Sequence, residues 1–60
     1  MTRILIVEDV AETRRGLGEI CAAAFPDCRI TEADSMRAGL AAAAREDCDI
    51  ALIDLGLPAQ

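Results

Sequence analysis

Two short apolar runs, each followed directly by acidic residues, constrain the fold of this chain more than any other feature. The first run is residues 4–7, which ends at Glu8 and Asp9, and the second is Ile50–Ile53, which ends at Asp54. Uninterrupted runs of four aliphatic residues are typical of strands buried on both faces, as in parallel sheets. Because the segments around a middle strand are long enough for helical crossovers, the sequence predicts a β-α-β-α-β order with parallel strands.

The segment after Asp9 carries the pattern of a first helix. Its apolar residues recur at helical spacing, and Pro26 with Asp27 stops the pattern. Arg14 and Arg15 lie off this apolar face, so we expect them to be solvated. The residues expected to form the buried face are Val10, Leu17, Ile20, Cys21, Ala24 and Phe25.

A middle strand and a second helix are predicted between the first helix and the last strand. Residues 28–33 alternate in polarity, which is typical of an edge strand with one exposed face. Ser35 is the predicted N-cap of the second helix, whose alanine run favours helix although Gly39 costs about 1 kcal/mol. The residues expected to form its buried face are Met36, Leu40, Ala43 and Ala44.

Composition limits the environment and the partners of the chain. Its 60 residues carry 11 acidic side chains against 6 basic ones, all arginine, for a net charge of −5, so we expect no direct contact with nucleic acid. No apolar run approaches the roughly 18 residues of a membrane span or resembles a secretory leader, so we expect a cytoplasmic protein without membrane contact. The cysteines Cys21, Cys28 and Cys48 lack metal-site or disulfide spacing and are expected to be small hydrophobic residues.

The acidic residues at the ends of the two apolar runs are the candidate functional residues. In open α/β sheets ligands bind at the carboxyl ends of the strands, so Glu8, Asp9 and Asp54 converge if the first and third strands pair. Neighbouring carboxylates repel one another, and a hard divalent cation such as Mg²⁺ removes that repulsion. A simpler interpretation is that Asp9 only caps the first helix and that Asp54 is only a loop residue. Their matching positions at two strand ends favour a shared site.

Two stretches of the sequence carry a family resemblance. The first is residues 4–9 (Ile-Leu-Ile-Val-Glu-Asp), continued by residues 14–17 (Arg-Arg-Gly-Leu), and the second is residues 49–58 (Asp-Ile-Ala-Leu-Ile-Asp-Leu-Gly-Leu-Pro). Together they resemble the receiver (response-regulator, chemotaxis-regulator-like) domain of two-component signalling. The resemblance implies an α/β fold with a doubly wound parallel sheet of the flavodoxin-like kind, with strand order 2-1-3 in the part present.

The resemblance also implies a role for each acidic residue. Asp54 would be the phosphoacceptor, and Glu8, Asp9 and Asp54 would hold Mg²⁺. Gly56 would offer its backbone carbonyl to the metal, and Pro58 would shape the loop. Glu8 stands where aspartate is commoner in the family, which leaves open whether it binds directly or through a water. Such a module is a switch and not a turnover enzyme.

The partners and the extent of the domain follow from the same resemblance. The phosphoryl group would come from the phosphohistidine of a sensor histidine kinase or a phosphotransfer protein, and the output would be transcription. The family pattern includes two later strands, ending in Ser or Thr and in Lys, that these sixty residues do not contain. We therefore expect residues 1–60 to be the N-terminal part of a receiver domain, whose open third-strand edge favours self-association.

Three other interpretations start from the same residues. Gly16 and Gly18 could begin a dinucleotide-binding fingerprint, but they lie within the predicted helix and not in a turn after a strand. A haloacid-dehalogenase-like phosphotransferase also uses a strand-end aspartate, but its motif has a second aspartate where Gly56 stands. The third is an interaction fragment that is not phosphorylated and pairs through its open strand edge. In the receiver interpretation, Arg14 and Arg15 could help to dock the kinase.

Overall fold

The computed structural model describes residues 1–54 of the chain and shows a small α/β structure. The predicted β-α-β-α-β order is confirmed. Gly56 and Pro58, which the sequence analysis assigned to the site, lie outside the described residues. The elements are β1 (Arg3–Val7), α1 (Ala11–Ala24), β2 (Arg29–Ala33), α2 (Met36–Arg45) and β3 (Ile50–Ile53).

The three strands form one parallel sheet in the order β2-β1-β3. Within residues 1–54, β1 is the central strand and β2 lies at one edge of the sheet, as its alternating sequence predicts. Val7 at the end of β1 pairs with Ala33 of β2 and with Ile53 of β3. The carboxyl ends of the three strands therefore lie level with one another, side by side.

β1 supplies the centre of the core on both faces of the sheet, and its predicted burial is confirmed. Its side chains alternate between the two helices, since a strand points successive residues to opposite faces. Ile4 and Ile6 pack with Cys21 on the side of α1. On the side of α2, the buried cluster consists of Leu5, Val7, Ala33 and Ala42.

β3 is less buried than its apolar sequence predicts. Ile50 and Leu52 are half-buried, whereas Ala51 is exposed and Ile53 is 44% exposed. Its first residues are tied to β1 by Asp49, whose Oδ2 accepts a hydrogen bond of 2.8 Å from the backbone N–H of Arg3. That bond lowers the pKa of the Asp49 carboxyl. β3 is therefore held in the sheet by its pairing with β1. Within residues 1–54, no strand pairs with its other edge.

The buried face of α1 differs from the predicted one. Gly18 and Cys21 face the sheet, with Leu17 partly buried, whereas Ile20 is 66% exposed and Val10 and Phe25 are exposed as well. The prediction for Ile20 was wrong because it weighted large apolar side chains, while the helix approaches the sheet through a residue without a side chain. Neither helix in the described part of the chain has the length and apolar content needed to cross a bilayer.

α2 begins as predicted but also turns a different face to the sheet. Ser35 caps it, because its Oγ accepts a hydrogen bond of 3.1 Å from the backbone N–H of Ala38. Gly39 and Ala42 are buried, and Leu40 is 66% exposed, so its predicted place in the core was wrong. The predicted burial of Ala43 and Ala44 was wrong for the same reason, since both lie on the exposed side.

Gly39 sets this close approach, and we expect Gly39→Ala to destabilise the fold. A Cβ at position 39 would lie 2.7 Å from Cγ2 of the buried Val7, which has no free space in which to move. Overpacking of this kind costs about 1–3 kcal/mol, more than the roughly 1 kcal/mol that alanine gains in a helix. The matched control is Gly16→Ala in α1, where nothing lies within 4 Å and stability should rise. Urea unfolding of both variants checks this, and a stabilised Gly39→Ala chain would contradict it.

Candidate functional site

Three acidic side chains meet at the carboxyl ends of β1 and β3. Glu8 and Asp9 follow β1 directly, and Asp54 follows β3 directly. Each offers one carboxylate oxygen, and these oxygens all lie within 4.8 Å of one another. Glu8 is 2% exposed, Asp54 is half-buried and Asp9 is exposed. The predicted convergence of the three carboxylates is confirmed.

The backbone ladder of the sheet places these residues. The N–H of Asp54 donates to the carbonyl of Val7 at 3.1 Å, and the N–H of Glu8 donates to the carbonyl of Ala33 at 3.0 Å. Each bond extends the strand pairing by one residue beyond the apolar run. Because the pairing is parallel and in register, Glu8 and Asp54 come to lie side by side.

The carboxyl of Glu8 has a raised pKa. The largest cause is its side-chain hydrogen bond with Asp54, and burial adds to it. The backbone N–H of Val10 donates to Oε1 of Glu8 at 3.2 Å and opposes the rise. Two adjacent carboxyl groups resist simultaneous ionisation, because each negative charge disfavours the other. The pair is therefore an environment that favours a bound proton or a bound cation.

Asp9 is not the N-cap of α1, so the simpler interpretation of this residue was wrong. The N-cap position is Val10, and no side chain makes a capping hydrogen bond there. The exposed Asp9 carboxylate is directed to the acidic cluster, as its short distances to the other two carboxylates show.

Arg14 is a residue of the site that the sequence analysis placed in solvent. Its Nη1 donates to the backbone carbonyl of Glu8 at 2.7 Å, and its Nε donates to Oε1 of Glu32 in β2 at 3.1 Å. Only 19% of its side chain is exposed. The expectation of a solvated Arg14 was wrong, whereas Arg15 is exposed as expected. The pattern of apolar residues along α1 contains no signal for these contacts.

An open cleft of about 590 Å³ runs beside the acidic cluster, between α1 and β3. Glu8 and Asp54 form its polar end, and Thr13 and Leu17 of α1 form one wall. The opposite wall is β3. Among residues 1–54, the Asp54 side chain therefore lies at the polar end of an open cleft.

The donor set fits a hard divalent cation. All three groups offer carboxylate oxygens, the ligand type that Mg²⁺ binds, and carboxylates leave room for the waters that this ion retains. Two oxygens bound to one Mg²⁺ at about 2.1 Å can lie at most about 4.2 Å apart. The three oxygens lie within 4.8 Å of one another, so a bound ion would draw the three carboxylates closer together.

Comparisons with known proteins were made with the sequence and with the structure. No model of a protein family, no curated protein and no solved structure matches the chain. The functional conclusion therefore depends on the geometry and the chemistry of the acidic cluster.

Proposed function

We propose that the chain is a phosphoacceptor module in which Asp54 receives a phosphoryl group. The observation that carries this proposal is the meeting of the Asp54 carboxylate with Glu8 and Asp9 at the carboxyl edge of a parallel sheet. In the proposed site these three carboxylates hold Mg²⁺, joined by the backbone carbonyl of Gly56 from outside the described residues. The receiver-like stretch at residues 49–58 supports the same assignment.

The proposed reaction is an in-line phosphoryl transfer to a carboxylate. An oxygen of Asp54 forms a bond to phosphorus while the bond from phosphorus to the donor nitrogen of a phosphohistidine breaks. The imidazole leaves and takes up a proton, and the product is an aspartyl phosphate. A bound Mg²⁺ would neutralise charge on the phosphoryl oxygens. Glu8 and Asp9 bind and orient, and Asp54 alone changes covalently.

The wider assignment belongs to the same proposal. The sheet β2-β1-β3 would be part of a doubly wound, flavodoxin-like receiver fold, and the module would act as a switch and not as a turnover enzyme. Its partner would be a sensor histidine kinase or a phosphotransfer protein in the cytoplasm. The output that it switches would be transcription, carried out by a region other than this acidic segment.

The test of the proposal is a labelling experiment with a small phosphodonor. A protein that carries these sixty residues is incubated with radiolabelled acetyl phosphate, once with Mg²⁺ and once with a chelator. We expect label only with Mg²⁺, and we expect hydroxylamine to release it, because hydroxylamine cleaves acyl phosphates and leaves phosphoserine intact. A label that is indifferent to both the chelator and hydroxylamine would exclude an aspartyl phosphate.

A second candidate function is pairing with another copy of the chain through β3. The observation that favours it is the exposure of Ala51 and Ile53 in a strand that, within residues 1–54, pairs on one side only. Edge strands that are apolar and uncharged are templates for further strand pairing. Pairing through β3 needs no phosphoryl group, so an experiment without a phosphodonor tests it independently of the first proposal.

We expect the sixty-residue chain to self-associate as its concentration rises, and Ala51→Lys to suppress the association. A lysine on an edge strand opposes pairing because its charge would lie against the side chains of the added strand. Ala41→Lys is the matched control, since Ala41 is exposed in α2 and lies outside β3. Sedimentation velocity over a concentration series measures the effect. A wild-type chain that stays monomeric throughout would rule out pairing through β3.

A further inference from the structure

We propose that Arg14 is a positioning residue of the acidic site, and that it acts by holding the peptide group that joins Glu8 to Asp9. Glu32 in turn holds the guanidinium of Arg14. Insofar as the acidic site is a metal site, this inference rests on the proposed function, but the placement of the Glu8 carbonyl by Arg14 can be measured without metal.

The two hydrogen bonds of Arg14 fix its guanidinium in one orientation. Nη1 donates to the Glu8 carbonyl at 2.7 Å, and Nε donates to the Glu32 carboxylate at 3.1 Å. A guanidinium is planar and its donors point in fixed directions, so two acceptors on different elements define its plane. Bonds from an ionised donor are shorter and stronger than those between neutral groups. The Arg14 side chain is only 19% exposed, but that of Glu32 is 48% exposed, so water competes less for the bond to the Glu8 carbonyl than for the bond to Glu32.

The acceptor on Glu8 is the atom through which Arg14 can control the site. The carbonyl of Glu8 belongs to the peptide that leads into Asp9, so its direction sets where the Asp9 side chain begins. The N–H of Glu8 is already fixed by the carbonyl of Ala33 at 3.0 Å. Arg14 therefore supplies a second restraint on the backbone of Glu8. The carboxylates of Glu8 and of the next residue, Asp9, both belong to the acidic cluster.

The contacts form a closed ring that links three elements. Glu8 at the end of β1 bonds to Ala33 in β2, and the adjacent Glu32 bonds to Arg14 in α1. Arg14 then returns to Glu8. Rotation of the peptide group between Glu8 and Asp9 would break the hydrogen bond from Arg14 to the Glu8 carbonyl. We infer that the ring keeps the carboxylates in place although repulsion between them favours their separation.

The rival explanation is that Arg14 only fastens α1 to the sheet. That role would change the stability of the chain, and it would also change the Glu8 carbonyl because the bond is lost, but it would not change the placement of the acidic side chains or the affinity for Mg²⁺. Arg15 provides a matched control, since it is the same residue type at the next position of the same helix and is exposed. The comparison of Arg14→Gln with Arg15→Gln separates the two explanations.

The experiment measures the ¹³C resonance of the Glu8 carbonyl by NMR and the Mg²⁺ affinity by calorimetry, in a protein that carries the sixty residues. Loss of a hydrogen bond to a carbonyl moves its ¹³C resonance upfield, so Arg14→Gln should shift the Glu8 carbonyl, and Arg15→Gln should not. Groups that orient metal ligands typically contribute 10- to 100-fold to metal affinity, and we expect a loss of about tenfold for Arg14→Gln. Glu32→Gln should give a smaller change in the same direction.

Unchanged Mg²⁺ affinity in folded Arg14→Gln would overturn the inference, whether or not the Glu8 carbonyl resonance shifts. If Arg14→Gln does not fold, Arg14→Lys decides instead, because lysine keeps the charge but cannot reach both acceptors in a fixed plane. We expect it to bind Mg²⁺ more weakly than the wild type, and equal affinity would overturn the inference. A wild-type protein that does not bind Mg²⁺ would contradict the proposed function. The side-chain carboxyl ¹³C resonances of Glu8 and Asp9 would then decide the role of Arg14: they should shift in Arg14→Lys, which keeps the charge, and unchanged resonances would overturn the inference.

Discussion

Replacing Asp54 with asparagine is expected to abolish phosphoryl labelling of this protein while leaving its fold intact. Amide and carboxylate are nearly equal in size and shape, but only the carboxylate is a nucleophile towards phosphorus. The hydrogen bond between positions 54 and 8 can persist, since an amide N–H can donate to the Glu8 carboxylate. Labelling with a radioactive phosphodonor in the presence of Mg²⁺ measures the loss, and circular dichroism verifies the fold.

Asp27→Asn is the control for this experiment. Asp27 is exposed in the turn between α1 and β2 and lies outside the acidic cluster, so its replacement should leave labelling at the wild-type level. Undiminished labelling of Asp54→Asn would show that Asp54 is not the acceptor. Equal loss in both variants would show that labelling follows general acidity and not this site.

Replacing Asp9 with alanine is expected to weaken Mg²⁺ binding by about tenfold or more without reducing the stability of the protein. Asp9 is exposed and makes no capping hydrogen bond to α1, so its removal does not incur the cost of about 1 kcal/mol that follows the loss of a cap. Asp9, in contrast, supplies one of the three carboxylates of the proposed site, and Mg²⁺ is held by few protein ligands, so each one matters to the affinity. Calorimetric titration with Mg²⁺ and thermal unfolding, on the same samples, measure the two quantities.

Asp34→Ala is the matched control for Asp9→Ala. Asp34 is an exposed aspartate that follows β2 at the same edge of the sheet, but it does not belong to the cluster of three carboxylates. Its replacement should leave the titration unchanged. Identical isotherms for the wild type and Asp9→Ala would contradict a metal site that includes Asp9.

The strands and the meeting of the acids were predictable because each depends on a short, local pattern. The two apolar runs indicate buried strands, and parallel strands necessarily bring their carboxyl ends to one edge. Once β1 and β3 pair, Glu8 and Asp54 have to lie together. The cap at Ser35 was predictable for the same reason, since a capping bond joins residues close in sequence.

The helix faces were not predictable from the spacing of large apolar residues. α2 contacts the sheet through Gly39, because Val7 lies so close that no side chain fits there. In α1, Gly18 and Cys21 face the sheet and Ile20 is exposed, although a Cβ at position 18 would fit, at 3.9 Å from its nearest neighbours. In α2, the close contact at Gly39 turns Leu40 away from the core. Such an approach depends on the shape of the partner surface, which one helix's sequence does not encode. The contacts of Arg14 were missed for the same reason, since both acceptors lie on other elements.

The position of the phosphoryl group tests the central claim most directly. Borohydride reduces an aspartyl phosphate to homoserine, which mass spectrometry of the tryptic peptide after Arg45 can place at a single residue. The account predicts homoserine at position 54 after treatment with phosphodonor and Mg²⁺, and unchanged aspartate at 54 when a chelator is present. Homoserine at Asp47, Asp49 or any other aspartate in place of Asp54, or none at all, would contradict it.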